Sequence, residues 1–168
     1  MKKLMLKVVF LIVPLISFWG CQNTTNELSE LEKDSITKEV RSEFDKFIAA
    51  ANNHDADAMM QKHWNSEDYM YVGNGTITKG WESMLKGFKS VHSNPNYQSF
   101  TVDLDEVIIR VIDREAAMIT AGGYFNNFPT EEGPKSIKFA FTGLMQKVDG
   151  NWVMTNGHES TQEDMFNL

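Results

Sequence analysis

The sequence predicts an α+β domain: three helices followed by a curved antiparallel or mixed sheet. Three observations carry this. Apolar residues recur at helical spacing between Ile36 and Val91, alternate with polar ones from Tyr97 onward, and change phase within the first long strand.

The first helix is written in Ile36, Val40, Phe44, Phe47, Ile48 and Ala51, and it ends near Asn53-His54. Asp55 is an N-cap candidate for a short second helix running from Ala56 to about His63. Tyr69 to Val72 reads as a short strand, Gly73-Asn74-Gly75 as a turn, and Thr76 to Thr78 as a strand pairing back. A third helix begins near Gly80 with Trp81, Met84, Leu85, Phe88 and Val91 on its apolar side. Glu82 sits in its first turn, where a negative charge suits the helix dipole. Asn94-Pro95-Asn96 stops that helix.

Four long strands follow. In the first, Tyr97 to Ile112, the residues Phe100, Val102 and Leu104 share one parity and Val107, Ile109 and Val111 the other. A β-bulge near Asp105-Glu106 reconciles the two sets and bends the strand. The second strand covers about Ala116 to Phe125 with a kink at Gly122-Gly123, the third Ser136 to Val148, and the fourth Trp152 to Ser160. Asp149-Gly150 favours a two-residue type I′ turn between the last two. That register pairs Gly143 with Asn156, Phe141 with His158 and Phe139 with Ser160. It turns Phe139, Phe141, Gly143, Met145, Trp152, Met154, Asn156, His158 and Ser160 toward the helices, and Leu144, Val153, Thr155, Gly157 and Glu159 away from them.

Ahead of this domain lies a different kind of segment. Lys2, Lys3 and Lys7 precede an apolar stretch, Val8 to Trp19, interrupted by Pro14 and Ser17. The stretch is shorter than the roughly 20 residues of a spanning helix and has the length of a signal-peptide core. It ends in Phe18-Trp19-Gly20-Cys21, which resembles the lipobox of bacterial lipoproteins. Residues 1–20 are therefore expected to be an export signal and Cys21 the acylated first residue of the mature chain. Cys21 is the single cysteine, so no internal disulfide can form. Acyl chains contribute about 0.8 kcal/mol per buried CH2, and more than one makes attachment stable. The polar residues 21–34 read as a flexible tether, and residues 35–168 as one domain. The expected location is the cell envelope, on the periplasmic or outer-membrane face.

Net charge is −7 for the whole chain, and loss of the three lysines in residues 1–20, which carry no acid, takes it to −10. With no basic cluster, nucleic acid is excluded as a main partner.

Several motifs occur in a telling order: Asn53-His54-Asp55-Ala56-Asp57-Ala58-Met59 at the helix junction, Tyr71-Val72-Gly73 followed by Gly80-Trp81-Glu82, and Asp149-Gly150-Asn151-Trp152-Val153-Met154 leading to His158-Glu159-Ser160. Over residues 35–160 this order resembles the nuclear transport factor 2-like superfamily, in its SnoaL-like branch. The resemblance implies a cone-shaped sheet wrapped on the three helices, with a pocket at its open end. Its members include isomerases, cyclases, dehydratases, epoxide hydrolases and non-catalytic association domains, so the fold does not name a reaction.

The candidate ligand-binding residues are Trp64, Tyr71, Phe141, Asn156 and His158. His158 is the candidate catalytic acid–base, since an imidazole can take either role near neutral pH. Its other reading is a histidine that only packs and hydrogen-bonds. Asn156 opposite Gly143 either leaves room for a ligand or marks a glycine that only relieves crowding. Tyr69 and Tyr71 alternate on one strand face; their hydroxyls can polarise a carbonyl, or the rings simply fill the core. The isomerases of the superfamily use a buried Asp, and the inward set above holds no carboxylate.

His54, His63, His92 and His158 show no metal-ligand spacing, and no phosphate-cradling glycine loop is present, so no metal and no cofactor are expected. Three functions remain. The first is a lipid-anchored binder of a small apolar or carbonyl-containing molecule. The second is an enzyme of isomerase or hydrolase type using His158. The third is a homodimeric association module joined through the outer sheet face.

Overall fold

The computed structural model describes residues 27–73 and 75–162. The expected export signal and Cys21 lie outside the described residues. The chain runs α1 (Glu30–Asn52), α2 (Ala56–Met60), β1 (Met70–Gly73), β2 (Thr76–Lys79), α3 (Trp81–His92), a 3-10 turn (Pro95–Tyr97), β3 (Thr101–Val111), β4 (Ala116–Phe128), β5 (Lys135–Val148) and β6 (Asn151–Thr161).

Helix α1 starts earlier than its apolar stripe suggests. Ser29 is its N-cap, and Ser29 and Glu32 form a reciprocal capping box. Residues 30–34, read from sequence as tether, are therefore helical. The bonds from Ser29, with Arg114 beside it, hold the Glu32 carboxyl down at a pKa of about 2. Asp55 caps α2 as expected, its side chain accepting from the Ala58 N–H. Between the two helices His54 takes a left-handed backbone, φ 56°.

The six strands form one open sheet in the order β2-β1-β6-β5-β4-β3. All neighbours are antiparallel except β1 and β6, which run parallel. The β3 bulge lies where the phase change placed it, between Leu104 and Glu106. Opposite it Gly123 permits a close backbone approach: a Cβ there would lie 2.0 Å from the Asp103 carbonyl oxygen. The strand β3 begins four residues later than expected because Pro95–Tyr97 forms a 3-10 turn. At the β5–β6 turn, Asp149 and Gly150 both have positive φ, 49° and 79°, as a type I′ turn requires.

The concave side of the sheet packs on α1. Ile36, Val40 and Phe44 of the helix join Val102, Ala117, Ile119, Phe139, Met145 and Trp152 in one buried cluster. Near its end, α1 also covers the free edge of β3. The Asn52 side chain donates to the Val102 carbonyl at 3.0 Å and accepts from the Val102 N–H at 2.7 Å, standing in for a neighbouring strand.

The β5–β6 register departs from the expectation. Met145 pairs with Met154 and Leu144 with Asn156, so Thr155 is an extra residue in β6. Beyond it Gly143 faces Gly157, Phe141 faces Glu159 and Phe139 faces Thr161. The cause is a third segment. The Met154 N–H donates to the Lys62 carbonyl at 2.8 Å, and the Met154 carbonyl accepts from the Trp64 N–H at 2.9 Å. Residues 62–64 thus bond to β6 from its other side at the point where the ladder with β5 skips. Lys62 is in turn tied to Glu43 of α1 at 3.0 Å. Thr155 is buried in the bulge, and its hydroxyl bonds to Gln146 Oε1 at 2.8 Å. It therefore does not contribute to the outer face as expected.

Candidate functional site

The slip of one residue exchanges the two faces of β6 past Thr155. His158 is exposed, and its position on β6 lies between Thr142 of β5 and Val72 of β1 on the outward side. Asn156 is partly exposed opposite Leu144 on the same side. Neither faces the helices, so the expected inward placement of both is corrected. Glu159, expected outside, is carried inside.

A cavity of about 240 Å³ lies between the concave sheet, α1 and α3. Phe44, Phe47, Phe88, Phe100, Phe125, Phe128, Phe139 and Phe141 line it together with Ile48, Ala51, Met59, Val91 and Val102; Tyr71, His92, Tyr97 and Glu159 bring its polar side chains. The rings are ordered against one another. Phe125 and Phe139 stack at 4.2 Å and 9°, and Phe44 and Phe141 at 5.8 Å and 17°. Depressions on the outside of α1, one lined by Thr37, Lys38, Arg41, Ser42, Asp45, Lys46 and Ala49, are broad, solvent-open surfaces without such convergence.

Of the residues singled out from sequence, Tyr71 and Phe141 line the cavity. Trp64 is partly buried where residues 62–64 meet β6, and it does not line the cavity. The two that do are positioned by a pair of glycines. A Cβ on Gly157 would lie 2.9 Å from the Tyr71 ring, and one on Gly143 would lie 2.8 Å from the Phe141 ring. Two facing glycines thus make the floor on which two aromatic rings lie. The space opposite Gly143, read from sequence as room for a ligand or as relief of crowding, is occupied by Phe141.

At this floor the Tyr71 hydroxyl donates to Glu159 Oε2 at 2.8 Å. Glu159 is half-buried on the cavity wall. Burial therefore pushes the carboxyl above the usual carboxylate range, partly opposed by the Tyr71 bond. Burial and the neighbouring Glu159 charge push the Tyr71 hydroxyl well up, so it remains a donor at physiological pH. A carboxyl whose pKa is displaced toward neutrality, beside a fixed phenol, can hold or release a proton and can orient a polar group.

Elsewhere on the wall His92 Nδ1 lies 3.1 Å from His54 Nδ1, with the rings edge to face. One imidazole must donate and the other accept. Burial and the nearby His54 push His92 down, toward the neutral form.

Behind the wall His63 and Tyr69 pack edge to face at 5.3 Å. His63 Nδ1 bonds to the Met59 carbonyl at 2.9 Å, which makes it the protonated nitrogen. His63 Nε2 and the Tyr69 hydroxyl have no hydrogen-bond partner among the described residues. Burial pushes His63 down to a pKa of about 4 and Tyr69 up. Among the described residues no group of three or more His, Cys, Asp or Glu side chains could hold a metal ion.

Glu159 is the residue that sequence reasoning missed. The phase change in β3 was visible because apolar residues flank it on both sides. Past Thr155 the inward residues are Gly157, Glu159 and Thr161, none of which is apolar. The one available signal was negative: the apolar alternation of Trp152 and Met154 is continued by Asn156, His158 and Ser160, a polar run on a face meant to be core.

Residues 40–163 match the SnoaL-like domain family. A nuclear transport factor 2-like protein of unknown function from Shewanella oneidensis is 25% identical. The match covers 74% of this chain and 98% of that one, with a TM-score of 0.63. A nuclear transport factor 2-like superfamily protein from Salmonella enterica has a TM-score of 0.68 at 15% identity, over 76% of this chain and 92% of that one. A ketosteroid isomerase-like protein from Erwinia carotovora has a TM-score of 0.62 at 14% identity, over 75% and 95%. The family match, the six-stranded open sheet on three helices and the cavity between them agree: the chain belongs to the SnoaL-like family and has the nuclear transport factor 2-like fold.

Proposed function

We propose that this protein is a lipid-anchored envelope protein that binds a small, mostly apolar molecule, with Tyr71 and Glu159 as the polar contact. The observation that carries this reading is an aromatic-walled cavity with a hydrogen-bonded phenol–carboxyl pair on its floor. Apolar walls with a few convergent polar groups are the usual makeup of a small-molecule site. At about 240 Å³ the cavity is below the roughly 300–1,000 Å³ common for drug-sized ligands, which favours a compact ligand.

Native mass spectrometry of the full chain purified from its host tests the binding role. A bound small molecule is expected in the wild type, reduced at least tenfold in occupancy by Glu159→Gln and by Phe141→Ala, and unchanged by His158→Ala. Loss of the ligand in His158→Ala with retention in the other two would move the site to the outer face of the sheet.

The second reading is an enzyme that transfers a proton at the same place. The displaced Glu159 carboxyl favours it, with Tyr71 as the polarising donor. Turnover of the molecule found by mass spectrometry, lowered about 10²-fold or more in Glu159→Gln, within the usual range for a proton-transfer group, would establish it. Binding without turnover leaves the first reading.

The anchor rests on Lys2, Lys3 and Lys7, the Val8–Trp19 core and Gly20-Cys21 in that order. Cys21→Ala is expected to abolish lipid labelling and release the protein from the membrane fraction. Equal labelling of the variant would remove the anchor from this proposal.

A further inference from the structure

We infer that the ligand selected by this cavity is a small hydrophobic amine, bound as its ammonium ion between Glu159 and the faces of the surrounding phenylalanines. The inference rests on the binding role proposed above and names its ligand class.

Among the described residues Glu159 is the only carboxyl lining the cavity, and no lysine or arginine lines it. Its hydrogen-bond partner among the described residues is Tyr71, which occupies Oε2 as a donor. The Tyr71 hydrogen is thus spent on the carboxyl, and with Glu159 ionised the pair shows the cavity acceptor lone pairs only. A complementary ligand must bring a donor. An uncompensated carboxylate in an apolar wall is unfavourable, which is why burial raises Glu159 in the empty cavity; a ligand that brings positive charge compensates the carboxylate and keeps it ionised.

The other groups that face this point do not supply that charge. The wall contributed by α1 is apolar, as are those from β3, β4 and β5. The α3 side brings His92, which shares a proton with His54 and is pushed toward its neutral form by burial and by that neighbour. The eight phenylalanine rings supply the rest of the environment. Aromatic faces carry negative potential and attract cations, ligand ammonium ions included. A neutral ligand gains nothing from that potential, and a carboxylate ligand is repelled by both the rings and Glu159.

Isothermal titration of the full chain in lipid nanodiscs, corrected with empty nanodiscs, tests this with three compounds of one skeleton. They are 2-phenylethylamine, 2-phenylethanol and phenylacetate at pH 7.5. The amine is expected to bind at least tenfold tighter than the alcohol, and phenylacetate weakest. Glu159→Gln should erase the amine's advantage while keeping alcohol binding. Tyr71→Phe, which retains the carboxylate, should keep the amine's advantage and guards against a folding failure in the first variant.

Alcohol binding as tight as amine binding in the wild type would overturn the amine inference and leave the binding role standing. An amine advantage that survives Glu159→Gln would overturn it as well. Failure of all three compounds at millimolar concentration would overturn it, and the mass spectrometry above would then decide separately whether the cavity binds anything.

Discussion

His63 shows how a single buried side chain couples this fold to pH. Its ring is wedged between Phe47, at 5.1 Å, and Tyr69, at 5.3 Å, with Nδ1–H committed to the Met59 carbonyl. Burial lowers its pKa from 6.5 to about 4, so the native state holds it neutral while the unfolded chain protonates it. The unfolded state binds more protons between these values, so this contribution is present above pH 6.5 and is lost as pH falls through about 4. The full loss amounts to roughly 3 kcal/mol at about 1.4 kcal/mol per pKa unit. Urea unfolding of the wild type at pH 7.5, 5.5 and 4 should show that slope. In His63→Leu it should be smaller, against a pH-independent loss of about 1 kcal/mol from the lost bond to the Met59 carbonyl, which keeps the Lys62 N–H at 3.1 Å. Identical slopes in both proteins would assign the acid sensitivity to another group. The presence of four histidines is plain in the sequence, but which of them is buried is a property of packing.

At the scale of the element, the β5–β6 hairpin is governed by two competing registers. Its turn sets the pairing from Val148 with Asn151 as far as Met145 with Met154, and there the sequence reading holds. Residues 62–64 then take the Met154 N–H and carbonyl, Thr155 bulges, and the remainder shifts by one. The shift sets Gly157 against Gly143 and leaves space for the rings of Tyr71 and Phe141. Gly157→Ala puts a methyl group 2.9 Å from the Tyr71 ring, so the ring must move and its bond to Glu159 must lengthen or break. A loss of about 1–3 kcal/mol, the usual range for overpacking, is expected in thermal or urea unfolding, together with weaker ligand binding. His158→Ala, on the opposite face, is the control and should be within about 0.5 kcal/mol of wild type. A neutral Gly157→Ala would mean that Tyr71 is free to shift and that the floor does not hold the site.

For the whole molecule, the outer face of the sheet offers a surface distinct from the cavity. Thr120, Thr142 and His158 form one row across β4, β5 and β6, with Leu144, Val153 and Asn156 partly exposed nearby. Apolar and small polar residues dominate this patch, and β-sheet faces of this kind pair back to back. We expect a homodimer through it. Light scattering of the full chain in detergent, corrected for the micelle, should give the dimer mass, and Thr142→Arg at the centre of the row should give the monomer. A wild-type monomer at high concentration would sink the association reading and leave the cavity as the remaining candidate for function. No helix among the described residues is long and apolar enough to cross a membrane, so the amino-terminal segment carries the whole expectation of membrane attachment.

Local chemistry, and periodicity read through apolar residues, make a feature legible without the fold. The three helices, the Asp55 cap, the β3 bulge and the Asp149-Gly150 turn are all of that kind, because each signal lies within a few residues of its effect. The start of α1 was also written locally, in the Ser29–Glu32 capping box, although its apolar stripe begins later. Two of the cavity's own members, Tyr71 and Phe141, could be named in advance because aromatic side chains at strand spacing have few places to go but inward. The tertiary structure alone decided that Glu159 and not His158 faces the cavity. That choice depends on two backbone bonds between Lys62–Trp64 and Met154, some ninety residues apart in the chain, and a one-residue slip in a strand reverses every side chain beyond it.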